Sequence, residues 1–389
     1  MIRGIKVQLK PNNKQKTKLF ESAGVARFAY NWTLNRQQEN YKNGGKFISD
    51  KDLREEFTKL KQTKRYKWLN NFSNNITKQA IKDACNAYIR FFKGESNFPR
   101  FKSRRRTKPS FYVDTDKIQF TDTHVKLEKL TTSRKKNKQQ FNWIRLYEHR
   151  RIPYGKGVKY INPRVSFDGV NWWIAVSIEY PDNIEIPTNE GIGIDVGIEK
   201  LAVVSDGNIY KNINKTKEIE KLEKRKKRLQ RKVSRKYEKG REGDRYKKTK
   251  NIIRLENQLK KLNQRLTNIR HNYSHQITTE IIKRKPGFIV VEDLNVLGMM
   301  KNKHLSKAIQ YQGFYEFYRQ LQYKSEWNNI KFIVADRFFP SSKTCSQCGS
   351  YKKNLKLSDR KYICEDCGSI LDRDLNASLN LKNYGQEIA

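Results

Sequence analysis

The sequence predicts a multidomain α/β protein. Its 389 residues exceed a typical single domain by about two to three times, so we expect two or three packed units. Apolar residues recur every three or four positions in some segments, as in helices, and at every second position in others, as in strands. A hydrophobic content of 36% is sufficient for packed cores and excludes wholesale disorder.

The N-terminal part is predicted to be a strand followed by a helical unit. The alternation of Ile5, Val7 and Leu9 predicts a short strand. Apolar residues at helical spacing fall between positions 19 and 34 and again between positions 76 and 91, so the segment from about 12 to 94 is predicted to be helical. Cys85 stands alone on the second helix and is interpreted as a small buried apolar residue.

A basic linker separates this unit from a predicted antiparallel β unit. Residues 98–106 read FPRFKSRRR. The apolar residues at 174, 176 and 178 alternate as in a strand with one buried face, and Asp168-Gly169 before them is a hairpin-turn signal. We expect residues 109–180 to form this unit, as a barrel that takes in the N-terminal strand. A proline-bracketed spacer then places the domain boundary near residue 187.

A second domain is predicted to open with a strand and to contain a long pair of helices. Residues 192–197, IGIDVG, form the predicted strand. Between residues 255 and 273, apolar side chains alternate steps of four and three, which is typical of a helix that packs against an antiparallel partner. The first arm of the pair, residues 221–236, is dense in Lys and Arg. That run is either a solvated helix face or a phosphate-binding surface, and the charge of the whole chain favours phosphates.

The net charge indicates a polyanionic partner. Lys and Arg number 83 against 40 Asp and Glu, which gives a formal charge of +43. Self-repulsion on this scale disfavours a compact chain without a polyanion. No apolar run approaches the ~20 residues that a bilayer requires, and the first six residues lack the apolar core of a signal peptide. We therefore expect no membrane partner and a cytoplasmic location.

Four of the five cysteines form two Cys-x-x-Cys-Gly knuckles, Cys345/Cys348 and Cys364/Cys367. This spacing fits a tetrahedral four-thiolate zinc site, and the glycine after each pair lets the turn fold tightly around the metal. An iron–sulfur cluster and a redox dithiol are the competing interpretations, and neither explains two copies of one knuckle as well. Four thiolates leave no open coordination position, so we expect one structural Zn²⁺ ion.

Three carboxylates lie in sequence contexts that indicate a catalytic or metal-binding role. Asp195 lies within an apolar strand, Glu292 ends a buried-strand run, and Asp374 lies where a helix begins. A carboxylate at the edge of a buried strand needs a positive partner, and Mg²⁺ takes oxygen ligands.

Each of the three also has an ordinary explanation, and spacing does not show whether they meet in space. Asp195 could cap a turn, Asp374 could be an N-cap, and Glu292 could pair with a basic side chain. Asp336, at the end of another predicted strand, is a fourth candidate and is interpreted as an ordinary strand-end residue.

Four motifs occur in the order GIDVG at 193–197, VEDLNV at 291–296, FPSSKTCSQCG at 339–349 and DRDLNA at 372–377. Together they resemble the transposon-encoded TnpB (OrfB) family, whose members are relatives of compact type V CRISPR effector nucleases. The N-terminal half adds two segments similar to those of the family, RFAYNW at 27–32 and FPRFKS at 98–103.

The resemblance implies a RuvC nuclease domain of RNase H-like fold at residues 187–340 and 371–389. It implies a helical insertion at about 215–285 and a zinc ribbon at 341–370. It also implies that Asp195, Glu292 and Asp374 are the catalytic triad. The third member is Asp374 and not Asp372, because the family's aspartate comes two residues before the asparagine.

The same resemblance implies a wedge-like β-barrel at 1–10 and 109–186 that carries a helical recognition lobe at 11–108. The implied partners are a guide RNA from the transposon end and a matching target DNA. We expect the protein to bind the RNA as a monomer and to be associated with a prokaryotic nucleoid. The candidate nucleic-acid contacts are Lys78, Gln79, Lys102, Arg104, Arg105 and Arg106.

The implied activity is Mg²⁺-dependent cleavage of the target DNA. Two Mg²⁺ ions held by the triad, about 3.5–4 Å apart, would activate a water and stabilise the departing 3′ oxygen. A compact type V CRISPR effector and a non-cleaving RNA-guided DNA-binding regulator stay open as alternatives, and the intact triad argues against the regulator. A strand-joining transposase is a third alternative, although we identify no tyrosine nucleophile motif.

Overall fold

The computed structural model describes residues 2–131, 140–155, 157–181, 186–243, 245–356 and 358–388. The chain divides into two compact units, Met1–Pro181 and Asp182–Ala389. This division lies close to the boundary predicted near residue 187.

Between residues 11 and 108, all of which are described, the first unit contains three α-helices. They are α1 (Asn13–Lys42), α2 (Asp50–Gln62) and α3 (Asn74–Phe92). Asn12 caps α1 in a capping box with Gln15. The sequence predicted α1 and α3. It singled out no separate helix at α2, which lies within the segment of about 12–94 predicted to be helical; only Leu53 and Phe57 among the apolar residues of α2 are buried.

The sheet of the first unit is antiparallel and has the strand order β2-β6-β7-β1-β5-β4-β3. Its strands are β1 (Ile2–Lys10), β2 (Ser110–Tyr112), β3 (Gln119–Phe120), β4 (His124–Lys126), β5 (Trp143–Leu146), β6 (Tyr160–Phe167) and β7 (Trp172–Glu179). The predicted N-terminal strand is confirmed as β1, and it joins the sheet as expected, between β7 and β5.

The predicted hairpin turn at Asp168-Gly169 is confirmed, and it joins β6 to β7. The Asp168 carboxylate accepts hydrogen bonds from the backbone of Val170 and Asn171 and from the Trp173 ring nitrogen. In the described residues no ladder joins β2 to β3, so closure of the sheet into a barrel stays a prediction.

Helices and sheet of the first unit share one hydrophobic core. Val7 and Ile174 of the sheet belong to the same buried cluster as Leu34 of α1 and Ile81 of α3. Cys85 is 2% exposed within this cluster, which confirms its interpretation as a small buried residue.

The second unit is built on a mixed sheet of order β10-β9-β8-β13-β14. Its strands are β8 (Gly191–Val196), β9 (Lys200–Val204), β10 (Ile209–Lys211), β13 (Phe288–Glu292) and β14 (Lys331–Ala335). The short pair β11 (Arg241–Glu242) and β12 (Arg245–Tyr246) lies apart from it in the chain. The β8, β13 and β14 strands are parallel, whereas β9 and β10 are antiparallel to their neighbours.

In its described residues, the second unit contains the helices α4 (Lys217–Lys239), α5 (Lys250–Lys283), α6 (Val296–Met299), α7 (Ser306–Gln312), α8 (Phe314–Trp327) and α9 (Arg373–Ile388). Helices pack on both faces of its sheet. Ile277 of α5 and Phe317 of α8 pack on the face that carries Ile194 and Val291. Leu381 of α9 packs on the opposite face, against Phe288 and Val290.

Gly193 in β8 allows α9 to approach the sheet closely. A Cβ atom at this position would overlap the Ser378 carbonyl oxygen and the Lys382 backbone nitrogen. Because both atoms belong to the helix backbone, they cannot move aside as a flexible side chain would. The small residue therefore fixes the distance between β8 and the helix that carries Asp374.

The predicted helix pair is confirmed as α4 and α5. Leu262 and Leu266 of the predicted seam are buried together with Ile219 and Leu222 of α4. Among the described residues, no helix is long and apolar enough to cross a membrane.

Candidate active site and metal centre

Asp195 and Glu292 lie side by side at the ends of two parallel strands. The register pairs Ile194 of β8 with Val291 of β13, so the next residues along the two strands are Asp195 and Glu292. Side chains two residues apart in a strand share a face. Gly193 and Val290 both face α9, and their neighbours Asp195 and Glu292 therefore point to the same side of the sheet.

Asp374 lies in the first turn of α9, the helix that covers this face. The backbone nitrogens of Asp374 and Leu375 donate to Oδ1 of Asp372, at 3.0 and 3.2 Å. Asp372 therefore caps the helix, and the Asp374 carboxylate does not serve as the N-cap. The Asp374 carboxylate lies 3.2 Å from Lys200 Nζ and 3.8 Å from a guanidinium nitrogen of Arg373.

The electrostatics show that the three carboxylates are neighbours. Removal from water, followed by the negative charges of Asp374 and Glu292, raises the pKa of Asp195 well above its ordinary value. Removal from water, followed by the charge of Asp293, also raises the pKa of Glu292. The fold thus concentrates negative charge at one edge of the sheet.

Asp195 and Glu292 lack the ordinary partners considered from the sequence. In the described part of the chain, neither carboxylate has a hydrogen bond or an ion pair. Partly buried carboxylates that repel one another are stabilised by a divalent cation, and hard oxygen donors suit Mg²⁺. The donor types therefore suit the ion, but the ligand oxygens of Asp195, Glu292 and Asp374 do not all lie within 4.8 Å of one another, as the four cysteine sulfurs do.

Lys200 is a member of this site that the sequence did not indicate. Its ammonium group lies 3.0 Å from Asp372 and 3.2 Å from Asp374. The residue is in β9, which pairs with β8, and only this pairing brings it to the first turn of α9. No local motif around Lys200 could have revealed its position.

Tyr318 of α8 is a second residue that the sequence did not indicate. Its hydroxyl is buried and has no hydrogen-bond partner among the described residues. Removal from water, followed by the charges of Glu292 and Asp195, raises the pKa of Tyr318 well above its ordinary value. The side chain is therefore a neutral phenol at the margin of the carboxylate cluster.

Asp336 lies after β14 and is exposed. Its Oδ1 accepts a hydrogen bond of 2.8 Å from the Phe338 backbone nitrogen. Its interpretation as an ordinary strand-end residue is confirmed.

The four knuckle cysteines converge as predicted, with all Sγ atoms within 4.8 Å of one another. Sγ of Cys345 is 3.7 Å from that of Cys367, and Sγ of Cys348 is 3.6 Å from that of Cys364. These separations are too long for disulfides. A tetrahedron with Zn–S bonds of about 2.3 Å has edges of about 3.8 Å, so the donor set fits zinc.

The two knuckles have the same backbone geometry. The nitrogens of Cys345 and Cys364 donate to the carbonyls of Ser350 and Ser369, at 2.8 and 2.9 Å. The glycine that follows each pair, Gly349 or Gly368, is in the left-handed region, as the predicted tight turns require.

The cysteine knuckles are tied to the helix that carries Asp374. The hairpin of β15 (Lys361–Ile363) and β16 (Ile370–Asp372) leads directly into α9. The Asn376 side chain accepts from the Ser346 backbone and donates to the Thr344 carbonyl. One turn later, Asn380 donates to the carbonyls of Ser341 and Thr344. Both asparagines are buried, so the first knuckle and the start of α9 are held together.

A second group of metal-type ligands consists of His271, His275 and Glu316. The Glu316 carboxylate already accepts hydrogen bonds from Arg319 and Gln320. Both histidines are exposed. We therefore assign no metal to this group.

The predicted nucleic-acid contacts lie in the first unit. Lys78 is exposed on α3, and Gln79 donates to the Asp83 carboxylate at 2.9 Å. Lys102 is partly buried, with Nζ 3.6 Å from the centre of the Tyr30 ring. Removal from water lowers the pKa of Lys102. Beyond it, three arginines are exposed to solvent, namely Arg104, Arg105 and Arg106.

The basic run in the second unit lies on α4. Most of its Lys and Arg side chains are exposed. Lys226 differs, because it is 17% exposed and pairs with Glu223 at 2.8 Å. The exposed Lys and Arg side chains of α4 are available to bind a polyanion.

Three segments of the chain match models of known families. Residues 174–303 match a family described as a probable transposase of the OrfB type. Residues 314–381 match the Cas12f1-like TNB domain, and residues 1–46 match a helix-turn-helix domain found with OrfB. This last segment folds here as β1 and the single helix α1.

Relatives align along nearly the whole chain. A protein of Escherichia coli K12 named putative RNA-guided DNA endonuclease InsQ is 28% identical over 100% of this chain and 93% of its own length. A protein of Streptomyces pristinaespiralis, named putative RNA-guided DNA endonuclease, is 29% identical over 98% of this chain and 89% of its own.

One solved structure supports the fold. The chain of a Cas12f1–sgRNA–target DNA complex has a TM-score of 0.58 at 15% identity, covering 95% of this chain and 82% of that one. This likeness supports the α/β fold of the chain. In sequence, the chain is similar to the OrfB (TnpB) family over the matched segments, and to relatives named RNA-guided DNA endonuclease.

Proposed function

We propose that this protein is an RNA-guided DNA endonuclease of a transposon, with its active site at Asp195, Glu292 and Asp374. The observation that carries the proposal is the pairing of β8 with β13. It sets two unpartnered carboxylates next to each other on the face that α9 covers, and α9 contributes the third. The relatives that align along the whole chain are named RNA-guided DNA endonucleases.

The carboxylates provide the chemistry of a RuvC-like, RNase H-like nuclease domain. When bound, a pair of Mg²⁺ ions supplies an activated water and neutralises charge on the scissile phosphate. Asp195 and Glu292 provide hard oxygen ligands from adjacent strands, and Asp374 provides another from the helix. Lys200, which pairs with Asp374 at 3.2 Å, holds this carboxylate in place before the ions bind.

Zinc in the cysteine cluster has a structural role in this proposal. The four thiolates leave no open position for a substrate. Asn376 and Asn380 connect the knuckle to α9, so the metal stabilises the helix that presents Asp374. The proposed zinc ribbon comprises residues 341–370.

The first unit and α4 hold the nucleic acids in this proposal. Residues 1–10 and 109–186 act as the wedge and residues 11–108 as the recognition lobe. Lys78 and Gln79 lie where the motif flanking the target is read, and Lys102 with Arg104–Arg106 contacts phosphates. The Cas12f1 of Sulfoacidibacillus thermotolerans aligns with only 32% of this chain, whereas the two RNA-guided endonucleases align with nearly all of it. A transposon-type protein is therefore favoured over a CRISPR effector.

A plasmid-cleavage assay tests the proposal. The protein is purified with its copurifying RNA, that RNA is sequenced, and a plasmid carrying the matching target is incubated with Mg²⁺. We expect cleavage by the wild-type protein. Glu292→Gln should lower the rate by more than about 100-fold, because even outer-shell partners of metal ligands contribute 10–100-fold.

Asp336→Asn is the matched control, because Asp336 also ends a strand but is exposed and bonded to its own turn. It should cleave at the wild-type rate. Equal cleavage by Glu292→Gln and Asp336→Asn would disprove the assigned site. A wild-type protein that binds RNA and target DNA without cutting would favour the regulator.

A further inference from the structure

An aromatic groove in the first unit has no role in the site described above. It encloses about 750 Å³ between the C-terminal part of α1, the following loop and α3. Its aromatic lining comprises Tyr41, Phe47, Tyr88, Phe91, Phe92 and Phe98. Tyr41 is 81% exposed and Phe92 is 64% exposed. Aromatic side chains exposed to this degree in one place mark an interaction surface.

The groove is preformed. The Gln37 side chain is buried and exchanges two hydrogen bonds with the backbone of Ile48, at 2.7 and 3.0 Å. Asn40 donates to the Lys46 carbonyl. These bonds fasten the loop that carries Lys46 and Phe47 to α1, so a ligand would meet an ordered surface.

The rings form a connected wall with accessible faces. Phe92 contacts Phe47 at a centroid distance of 5.9 Å, and Phe98 contacts Tyr88 at 5.7 Å. Both pairs are edge-to-face. Tyr41 has no ring contact among the described residues, so both faces of its ring are free of aromatic neighbours.

The charge of the groove selects a polyanion. Lys42 and Lys46 are its charged lining residues, and no acidic side chain lines it. A second copy of this chain would bring another +43 charges to the same place, which repulsion disfavours. Protein interfaces are depleted in Lys, whereas single-stranded nucleic acid combines stacking bases with a phosphate backbone.

We propose that this groove binds unpaired nucleobases of the guide RNA, which stack on Tyr41 and Phe92 while Lys42 and Lys46 contact the adjoining phosphates. The proposal rests on the proposed function for the identity of the strand, because the guide is the polyanion that the protein retains. Stacking has no sequence requirement, so the groove would accept any unpaired base.

Binding to short oligomers tests the proposal. Full-length protein freed of RNA is titrated with a labelled eight-residue oligouridine, with the matching oligothymidine, and with an abasic ribose-phosphate oligomer of the same length. Replacing both Tyr41 and Phe92 by Ala should weaken oligouridine binding by about 10-fold or more. Binding of the abasic oligomer and the salt dependence should stay unchanged, because no charge is removed.

Tyr315→Ala is the matched control, because Tyr315 is 75% exposed but lies on α8 in the second unit. It should bind oligouridine as the wild type does. Unchanged oligouridine binding by the double variant would overturn the proposal, as would an equal loss for the abasic oligomer. A loss confined to oligothymidine would assign the groove to DNA and overturn the guide assignment.

Two further readouts separate this proposal from its rivals. A wild-type dimer in light scattering that the double variant abolishes would show that a second copy occupies the groove, and would overturn the proposal. Plasmid cleavage is measured in parallel on guide-loaded protein. The two proposals can fail separately. If the double variant loses oligouridine binding and the wild-type protein does not cleave the plasmid, the groove proposal is supported and the nuclease proposal fails.

Discussion

At the scale of single residues, the most informative feature is a carboxylate in an environment that disfavours its ionised form. Asp195 is in a strand whose neighbours Ile194 and Val196 are buried, and its pKa is raised well above the ordinary value by removal from water and by Asp374 and Glu292. Such a residue lowers the stability of the folded protein when it ionises without a cation. Active sites commonly carry destabilising groups of this kind.

The raised pKa of Asp195 predicts how Asp195→Asn changes the stability of the protein. In the folded protein the pKa of Asp195 lies above its unfolded value, so the folded state holds the proton more tightly. Stability is therefore lost as the pH rises from the unfolded pKa through the folded pKa. At neutral pH without added Mg²⁺, the variant should melt about 2–4 °C above the wild type, the shift that ~1 kcal/mol gives in a domain of this size. At acidic pH the difference in Tm between the variant and the wild type should become smaller, because Asp195 is then protonated in both the folded and the unfolded protein.

Differential scanning calorimetry checks this prediction. Asp336→Asn serves as the control and should leave Tm nearly unchanged, because Asp336 is exposed. Added Mg²⁺ should stabilise the wild type more than Asp195→Asn, since only the wild type retains the full set of ligands. An Asp195→Asn variant that is less stable than the wild type at neutral pH would contradict the argument.

At the scale of elements, the start of α9 links the carboxylate cluster to the cysteine cluster. The same helix carries Asp374 in its first turn and, through Asn376 and Asn380, holds the first cysteine knuckle. β16 runs into this helix without a loop. The cysteine cluster therefore supports the position of Asp374, the proposed catalytic ligand.

This linkage predicts the effect of removing one cysteine ligand. Cys364→Ser should lose the zinc ion and lower Tm by at least about 5 °C, since each 1 kcal/mol shifts Tm by about 2–4 °C in a domain of this size. Cleavage should fall as well, because the first turn of α9 loses its support. Native mass spectrometry counts the zinc, and calorimetry measures Tm.

Cys85→Ala is the control for the cysteine prediction. Cys85 is buried in the core of the first unit, so its replacement should leave one zinc ion per chain. A Cys364→Ser variant that keeps normal thermal stability and cleavage without zinc would contradict the structural role.

At the scale of the whole molecule, charge is the dominant property. The formal charge of +43 is distributed over both units, with exposed arginines at 104–106 in the first and an exposed basic α4 in the second. A protein that holds an RNA–DNA duplex by its backbone needs many positive side chains and few that read bases, as is described for another RNA-guided nuclease.

This charge predicts a steep dependence of RNA binding on salt. Each phosphate contact releases counter-ions, so raising salt from 50 to 200 mM should weaken binding by about 10³-fold or more. Replacing both Arg228 and Arg231 of α4 by Gln should make the slope of log K against log salt shallower by about 1–2. Filter binding over a range of salt concentrations measures both slopes.

Glu238→Gln, an exposed substitution on the same helix, is the control for the salt prediction and should not make the slope shallower. A nearly flat salt response of the wild type would contradict the phosphate-binding interpretation of the basic surface.

Local patterns were enough to predict much of this protein. The strand β1, the helices α1 and α3, the Asp168 hairpin, the paired helices α4 and α5 and the four converging cysteines are all confirmed, because each depends on neighbouring residues or on a short fixed spacing. The four motifs also indicated the family whose models match segments of the chain.

Long-range pairing accounts for what local patterns could not supply. β8 meets β13 through backbone hydrogen bonds between segments far apart in the chain, and no spacing rule encodes this register. The same holds for Lys200 beside Asp374, for the unpartnered Tyr318 hydroxyl and for the aromatic groove. A motif records which side chains are present, whereas packing determines which of them are neighbours and how far water is excluded from their charges.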